Sequence, residues 1–165
     1  MKNFELRSPL PNEVHHIVRF IRELAEYEEL GHECHITEET LRASLFSDRP
    51  HAETLLAFVD EVPIGFCLFF QNYSTFLGKP GLYLEDLYVR PEHRNFGYGK
   101  LILARLASIA IERGCGRFEW AVLDWNEPSI AFYRKIGAKP VSGWTIQRVT
   151  GDELENLAKG VDNGR

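Results

Sequence analysis

Two adjacent carboxylates, Glu85 and Asp86, interrupt a run that is otherwise apolar or aromatic at both parities: Leu82, Tyr83 and Leu84 before them, Leu87, Tyr88 and Val89 after. Such a run fits a strand covered on both faces in the middle of a sheet. A bare carboxylate there costs on the order of several kcal/mol unless it is paired or wet. Two readings stand: the acids are hydrogen-bonded to neighbouring loops, or the strand splays open and they face a cleft. In a cleft they can bind a cation and accept its proton. A lysine-like amine, with a pKa of ~10.4, is almost wholly protonated at neutral pH and needs such a group before it can act as a nucleophile.

A second chemical feature follows at once. Pro91 ends the strand, and Arg94-Asn95-Phe96-Gly97-Tyr98-Gly99 leads into a helix with apolar residues at Tyr98, Leu101, Ile102, Leu106 and Ile109. Glycines before a helix let the backbone approach a ligand, and the free N–H groups of the first turn then face it with the positive end of the dipole behind them. That suits a pyrophosphate. No Gly-Lys-Ser/Thr follows, so this is not a P-loop, and the glycines are too few for the dinucleotide fingerprint. His32-x-Cys34-His35 offers three metal ligands, but no second cluster completes a site, so a polar loop without metal is expected.

These residues need elements to hold them. Phe4 to Arg7 reads as a first strand, and Pro9 and Pro11 lead into a helix with Val14, Ile17, Val18, Ile21, Leu24 and Ala25 on one face, ending near Leu30-Gly31. Thr37 reads as the N-cap of a short helix with Leu41 and Leu45 inward, closed by Asp48-Arg49-Pro50. Strands Thr54 to Val59 and Ile64 to Tyr73 are joined by a turn at Asp60-Glu61-Val62-Pro63, and Leu77 to Gly81 turns into the carboxylate-bearing strand. Arg117 to Leu123 alternates as a further strand. Asn126 caps a helix with Pro128 in its first turn and Gly137 past its end; Tyr133 on it is, by spacing alone, a core aromatic. Val141 to Val149 reads as one or two last strands, Thr150 to Leu154 opens a terminal helix, and Asn163-Gly164-Arg165 is expected to fray.

The order strand, Arg-x-x-Gly-x-Gly, helix resembles the coenzyme-A-binding motif of the GNAT acetyltransferases. Leu82-Tyr83-Leu84-Glu85-Asp86, Trp125 to Ile130, Phe132-Tyr133, Gly137-Ala138 and Arg22 to Glu28 are similar to the diamine (spermidine/spermine) acetyltransferases, and the likeness runs from about Phe4 to Ala158. The resemblance implies one α/β (α+β) domain over residues 1–165: a mixed, mostly antiparallel sheet, splayed at the cofactor strand and flanked by helices. It implies acetyl-coenzyme A as cosubstrate, with Leu87, Tyr88 and Val89 pairing with the pantetheine amides like an added strand. Arg94, Asn95, Phe96, Gly97, Tyr98, Gly99 and Lys100 would cradle the pyrophosphate, and Asn126 would contact the pantetheine arm. A backbone N–H near Tyr88 or Val89 can polarise the thioester carbonyl, worth about 3 kcal/mol. Tyr133 would be the general acid for the leaving thiolate and Glu85 the better candidate for the base, directly or through water. Tyr27, Glu28, Glu85 and Asp86 would hold the amine.

Composition narrows the classes. A chain of 165 residues is most simply one domain. A net charge of −5 argues against nucleic acid, which meets a basic face, and suits a cationic ligand. Seven glutamates and no Lys or Arg lie between Glu23 and Glu39, mostly a solvated face, but also a negative mouth able to attract an amine. Three scattered cysteines, Cys34, Cys67 and Cys115, fit reduced thiols in a cytoplasmic protein. Met1 to Glu5 lacks the apolar core of a signal peptide, and no apolar run approaches a membrane span.

The chain departs from the polyamine enzymes between Gly137-Ala138 and Gly143-Trp144. Lys139-Pro140-Val141-Ser142 is shorter than the family's segment there and lacks its acids, which favours a shorter amine, such as a small diamine or a lysine analogue of the thialysine type. The expectation is an N-acetyltransferase acting by direct attack in a ternary complex, as a homodimer by resemblance. The alternatives are acetylation of a protein amine and a non-catalytic coenzyme-A-binding module.

Overall fold

Alternating apolar residues and turn chemistry build a five-stranded sheet. In the computed structural model, which describes residues 3–160, β1 (Phe4–Arg7), β2 (Glu53–Val59), β3 (Val62–Ser74), β4 (Lys79–Val89) and β5 (Phe118–Trp120) lie across it in that order. β1 to β4 pair antiparallel and β5 joins β4 in parallel, giving the expected mixed, mostly antiparallel sheet. The chain divides into two compact units, Met1–Ala121 and Val122–Arg165. The first holds the sheet with α1 (Val14–Tyr27), α2 (Glu38–Leu45) and α3 (Tyr98–Glu112); the second holds α4 (Glu127–Lys135) and α5 (Gly151–Lys159).

Helical spacing fixes which faces are buried. Val14, Ile17, Val18 and Phe20 of α1 meet Leu41 of α2 and Leu56, Phe58, Phe66 and Tyr88 of the sheet in one core. Each large side chain so buried contributes about 1.5–3 kcal/mol. α3 lies against β4 and buries Ile102, Leu103, Leu106 and Ile109. Leu101, expected on that face, stands 48% exposed, and Leu103 takes its place. Thr37 caps α2 as expected, its hydroxyl accepting from the Thr40 N–H at 3.1 Å.

The register of β4 positions the site. Leu68 pairs with Asp86 and Phe69 with Leu84, so Glu85 is an extra residue opposite none: a β-bulge. Phe66 and Leu68 pack into the α1 core, and their partners Tyr88 and Asp86 share that face. Phe69 points the other way, and with it Leu84 and Leu82. Residues 82 and 84 therefore face α3 while 86 and 88, of the same parity, face α1: the bulge switches the faces. β5 pairs only with Leu82 to Leu84. From Asp86 to Val89, β4 pairs with β3 alone among the described strands.

Other elements differ from expectation. β5 spans Phe118–Trp120, shorter than Arg117 to Leu123, because the ladder with β4 that defines it ends at Trp120. The β2–β3 turn is two residues, Asp60 and Glu61, at φ 49° and 66°; Val62 and Pro63 belong to β3. The Asp60 carboxylate accepts from the Asn3 N–H at 2.8 Å, which offsets the left-handed backbone. α1 stops at Tyr27, where Glu28 caps it and Glu29 turns left-handed. Val141 to Val149 pairs with no strand among the described residues and keeps Val141, Trp144 and Ile146 exposed. Alternation prepares a strand, but only pairing makes one. The expected fraying of Asn163 to Arg165 lies outside the described residues. No described helix is long and apolar enough to cross a membrane.

Candidate active site

Three carboxylates gather where β4 opens. Glu85 stands exposed on the bulge and Asp86, its neighbour, is half-buried on the α1 face. Burial first, then the charges of Glu85 and Glu28, pushes the Asp86 carboxyl up to about 6. Glu28, at the end of α1, is itself raised by burial. The end of α1 and the middle of β4 thus present one negative patch from residues far apart in sequence. A cation entering it relieves the mutual repulsion of the acids.

The end of β4 is held from three sides. The Tyr88 phenol, buried and hydrogen-bonded to the Glu23 carboxylate, is pushed up to about 12, with burial the larger cause. Glu23 also meets Arg90 at 3.5 Å and Arg19 at 3.6 Å. Across the ladder stands Gly65, where a Cβ would lie 2.2 Å from the Tyr88 carbonyl oxygen. Only glycine admits that approach, so Gly65 sets the plane of the peptide between Tyr88 and Val89. Arg94 Nε–H donates to the Val89 carbonyl at 2.9 Å, and its guanidinium lies over the rings of Tyr27 and Tyr88.

The loop after β4 has the geometry of an anion cradle. Asn95 and Gly97 take left-handed conformations, φ 65° and 86°, and Gly97 is the N-cap of α3. Nothing lies within 4 Å of where a Cβ would stand on Gly97 or Gly99. The N–H groups of the first turn, from Tyr98 to Lys100, have no helical partner. Tyr98 is buried and stacked on Phe4 at 5.1 Å, fixing the start of the helix, while Phe96 and Lys100 stand exposed. This backbone fits a pyrophosphate: open Cα positions, convergent donors and a helix N-terminus behind them.

Asn126 and Tyr133 belong to the second unit. Asn126 is buried at the N-cap of α4, its side-chain oxygen accepting from the Ser129 N–H at 3.3 Å. Tyr133, half-buried with its ring 5.4 Å from that of Phe132, lies about two turns further along the same helix. Sequence reasoning missed Gly65 and Glu23. The signal for Gly65 was a lone glycine inside a strand pattern, which marks a close backbone approach; Glu23 had none, being one acid among several on a helix. Among the described residues no group of three or more His, Cys, Asp or Glu is arranged to hold a metal ion.

The model of the acetyltransferase (GNAT) family matches residues 18–138. The thialysine N-epsilon-acetyltransferase of Sus scrofa is 37% identical, over 96% of this chain and 99% of its own. The L-ornithine N5-acetyltransferase of Arabidopsis thaliana is 31% identical, over 93% of this chain and 87% of its own. Among solved structures, an integron cassette protein of V. cholerae superposes with a TM-score of 0.79 at 26% identity, covering 94% of this chain and 98% of that one.

Proposed function

As the chain belongs to the GNAT acetyltransferase family and is an acetyl-coenzyme-A-dependent N-acetyltransferase, we propose that its acceptor is the side-chain amine of a small lysine-like amino acid, of the thialysine or ornithine type. The observation that carries this reading is the patch of Glu28, Glu85 and Asp86 beside the open edge of β4. The names of the relatives support the acceptor class, as does the loss of acids between Lys139 and Ser142, which removes a partner that a long polyamine would use.

The residues divide the work as follows. Leu87 to Val89 hold the pantetheine amides along the free edge, Asn126 contacts the same arm, and the turn from Arg94 to Lys100 holds the pyrophosphate through its backbone N–H groups. Tyr27, Glu28 and Asp86 hold the ammonium. Glu85, exposed on the bulge, takes the ammonium proton directly or through water. The free amine attacks the thioester carbonyl, a C–N bond forms, and the oxyanion is met by the N–H of Val89, which the register turns away from β3, whereas that of Tyr88 points to β3. The C–S bond then breaks, Tyr133 gives its proton to the thiolate, and the second proton shed by the acylated nitrogen passes to solvent, from which Tyr133 regains its own.

A panel of thialysine, ornithine, lysine, spermidine and spermine, assayed with acetyl-coenzyme A by thiol release, tests the reading. Highest kcat/KM is expected for the amino acids, and a clear preference for spermine would overturn it. The molecule is read as a homodimer, which the exposed Val141, Trp144 and Ile146 support as a face for a second copy; sedimentation would then return twice the chain mass.

A further inference from the structure

Arg94 stands at the head of the glycine turn, where a cation would be expected to reach for phosphate, yet its side chain is engaged on the protein. Nε–H donates to the Val89 carbonyl at 2.9 Å. The guanidinium carbon lies 4.7 Å from the centre of the Tyr27 ring and 5.7 Å from that of Tyr88. One half-buried side chain therefore joins three things: the end of α1 that bears Tyr27 and Glu28, the end of β4 that bears the reactive peptide, and the loop that opens α3.

We propose that Arg94 is a positioning residue that couples the two substrates, tying the amine-facing wall at Tyr27 to the pyrophosphate loop so that filling one site tightens the other. This rests on the assignment of Tyr27 and Glu28 to the amine and of the backbone of the turn beyond Arg94, residues 95–100, to the pyrophosphate, the Arg94 side chain being held on the protein. The chemistry that selects arginine is planarity. A guanidinium stacks on an aromatic face and donates from Nε in the same plane; a lysine ammonium carries the charge but does neither in fixed geometry. The loop beyond Arg94 contains two left-handed residues, Asn95 and Gly97, and a donor bound there fixes it in this conformation. Arg94 is then fixed, and with it the ring of Tyr27. Linkage makes the effect reciprocal: the amine must tighten the donor by the same factor.

The test measures coenzyme A affinity by calorimetry with and without the panel amine that the wild-type protein acetylates best, coenzyme A and amine forming an unreactive ternary complex. In the wild type the amine is expected to tighten coenzyme A about fivefold or more. Arg94→Lys and Tyr27→Leu should each bring that factor close to one, and the double variant should do no more. Coenzyme A alone should bind Arg94→Lys within about threefold of wild type, and Tyr27→Phe, which keeps the ring, should keep the coupling. Arg94→Gln, which also ends the stacking, repeats the test should Arg94→Lys not melt cooperatively. Coupling that persists in these arginine variants overturns the proposal. So does a tenfold loss of coenzyme A affinity in Arg94→Lys with coupling intact in Tyr27→Leu, the pattern of a phosphate ligand, and so does a wild type without coupling. Wild-type protein that takes up no coenzyme A at all would overturn the site assignment itself, a result distinct from all of these.

Discussion

Asp86 folds into a place where its charge is unwelcome. Its carboxyl moves from an ordinary 3.8 up to about 6, so between these values the folded chain holds a proton that the unfolded chain releases. Stability is therefore greatest below the lower value and is lost as pH rises through the higher one. Asp86→Asn is expected to stabilise the fold at pH 7.5 by on the order of 3 kcal/mol, read as a raised melting temperature. The same variant should lose the acid limb near pH 6 in kcat/KM for the amine, because that limb reports the ionisation on which ammonium binding depends. Tyr133→Phe should lower kcat by roughly 10²- to 10³-fold with little change in the affinity for coenzyme A, since it removes only the proton for the thiolate. Full turnover in that variant would remove the proposed acid. The acid pair was legible in the sequence because two carboxylates in an apolar run are anomalous by type alone. The unequal environments of Glu85 and Asp86 were not, since they depend on a ladder partner on β3 and on Glu28, 58 positions before Asp86 in the chain.

At the scale of the element, β4 and its neighbours decide what the peptide proposed to meet the oxyanion faces. Gly65→Ala would drive a Cβ into the Tyr88 carbonyl, and one of the two strands must give. The expected result is a fall in kcat of about tenfold, part of the ~3 kcal/mol that an oxyanion donor supplies, with the amine KM changed far less. A proportional rise in KM alone would assign Gly65 to packing only. Strands and helices with strong periodicity were readable: α1, α2 and α4 begin where caps and prolines put them, α3 begins after the glycine turn, and β1 matches residue for residue. Features set by pairing were not. Nothing local in Arg117 to Leu123 says that β5 ends at Trp120, and nothing in the alternation of Val141 to Val149 says that it finds no partner. The bulge was invisible for the same reason.

At the scale of the whole molecule, the first strand is locked to the helix that follows it. Arg7 donates through both terminal nitrogens to the Glu13 carboxylate at 2.8 and 2.7 Å, and the Leu10 N–H donates to the same group. The arginine hydrogen bonds hold the Glu13 carboxyl down at about 2, against an ordinary 4.5. This contribution is complete above the ordinary value and disappears as pH falls toward 2. Glu13→Gln should flatten the dependence of melting temperature on pH across that window and lower the melting temperature at neutral pH. Glu85 has a further consequence for the molecule. It is a spacer as well as an acid, and it can be excised without turning any neighbour over: with it gone, Leu84 and Asp86 fall into unbroken alternation opposite Phe69 and Leu68. A chain shortened by that one residue is expected to fold with its melting temperature kept, and to lose turnover more completely than Glu85→Gln does. The irregularity is then the part of the sheet that its interior does not require and its chemistry does.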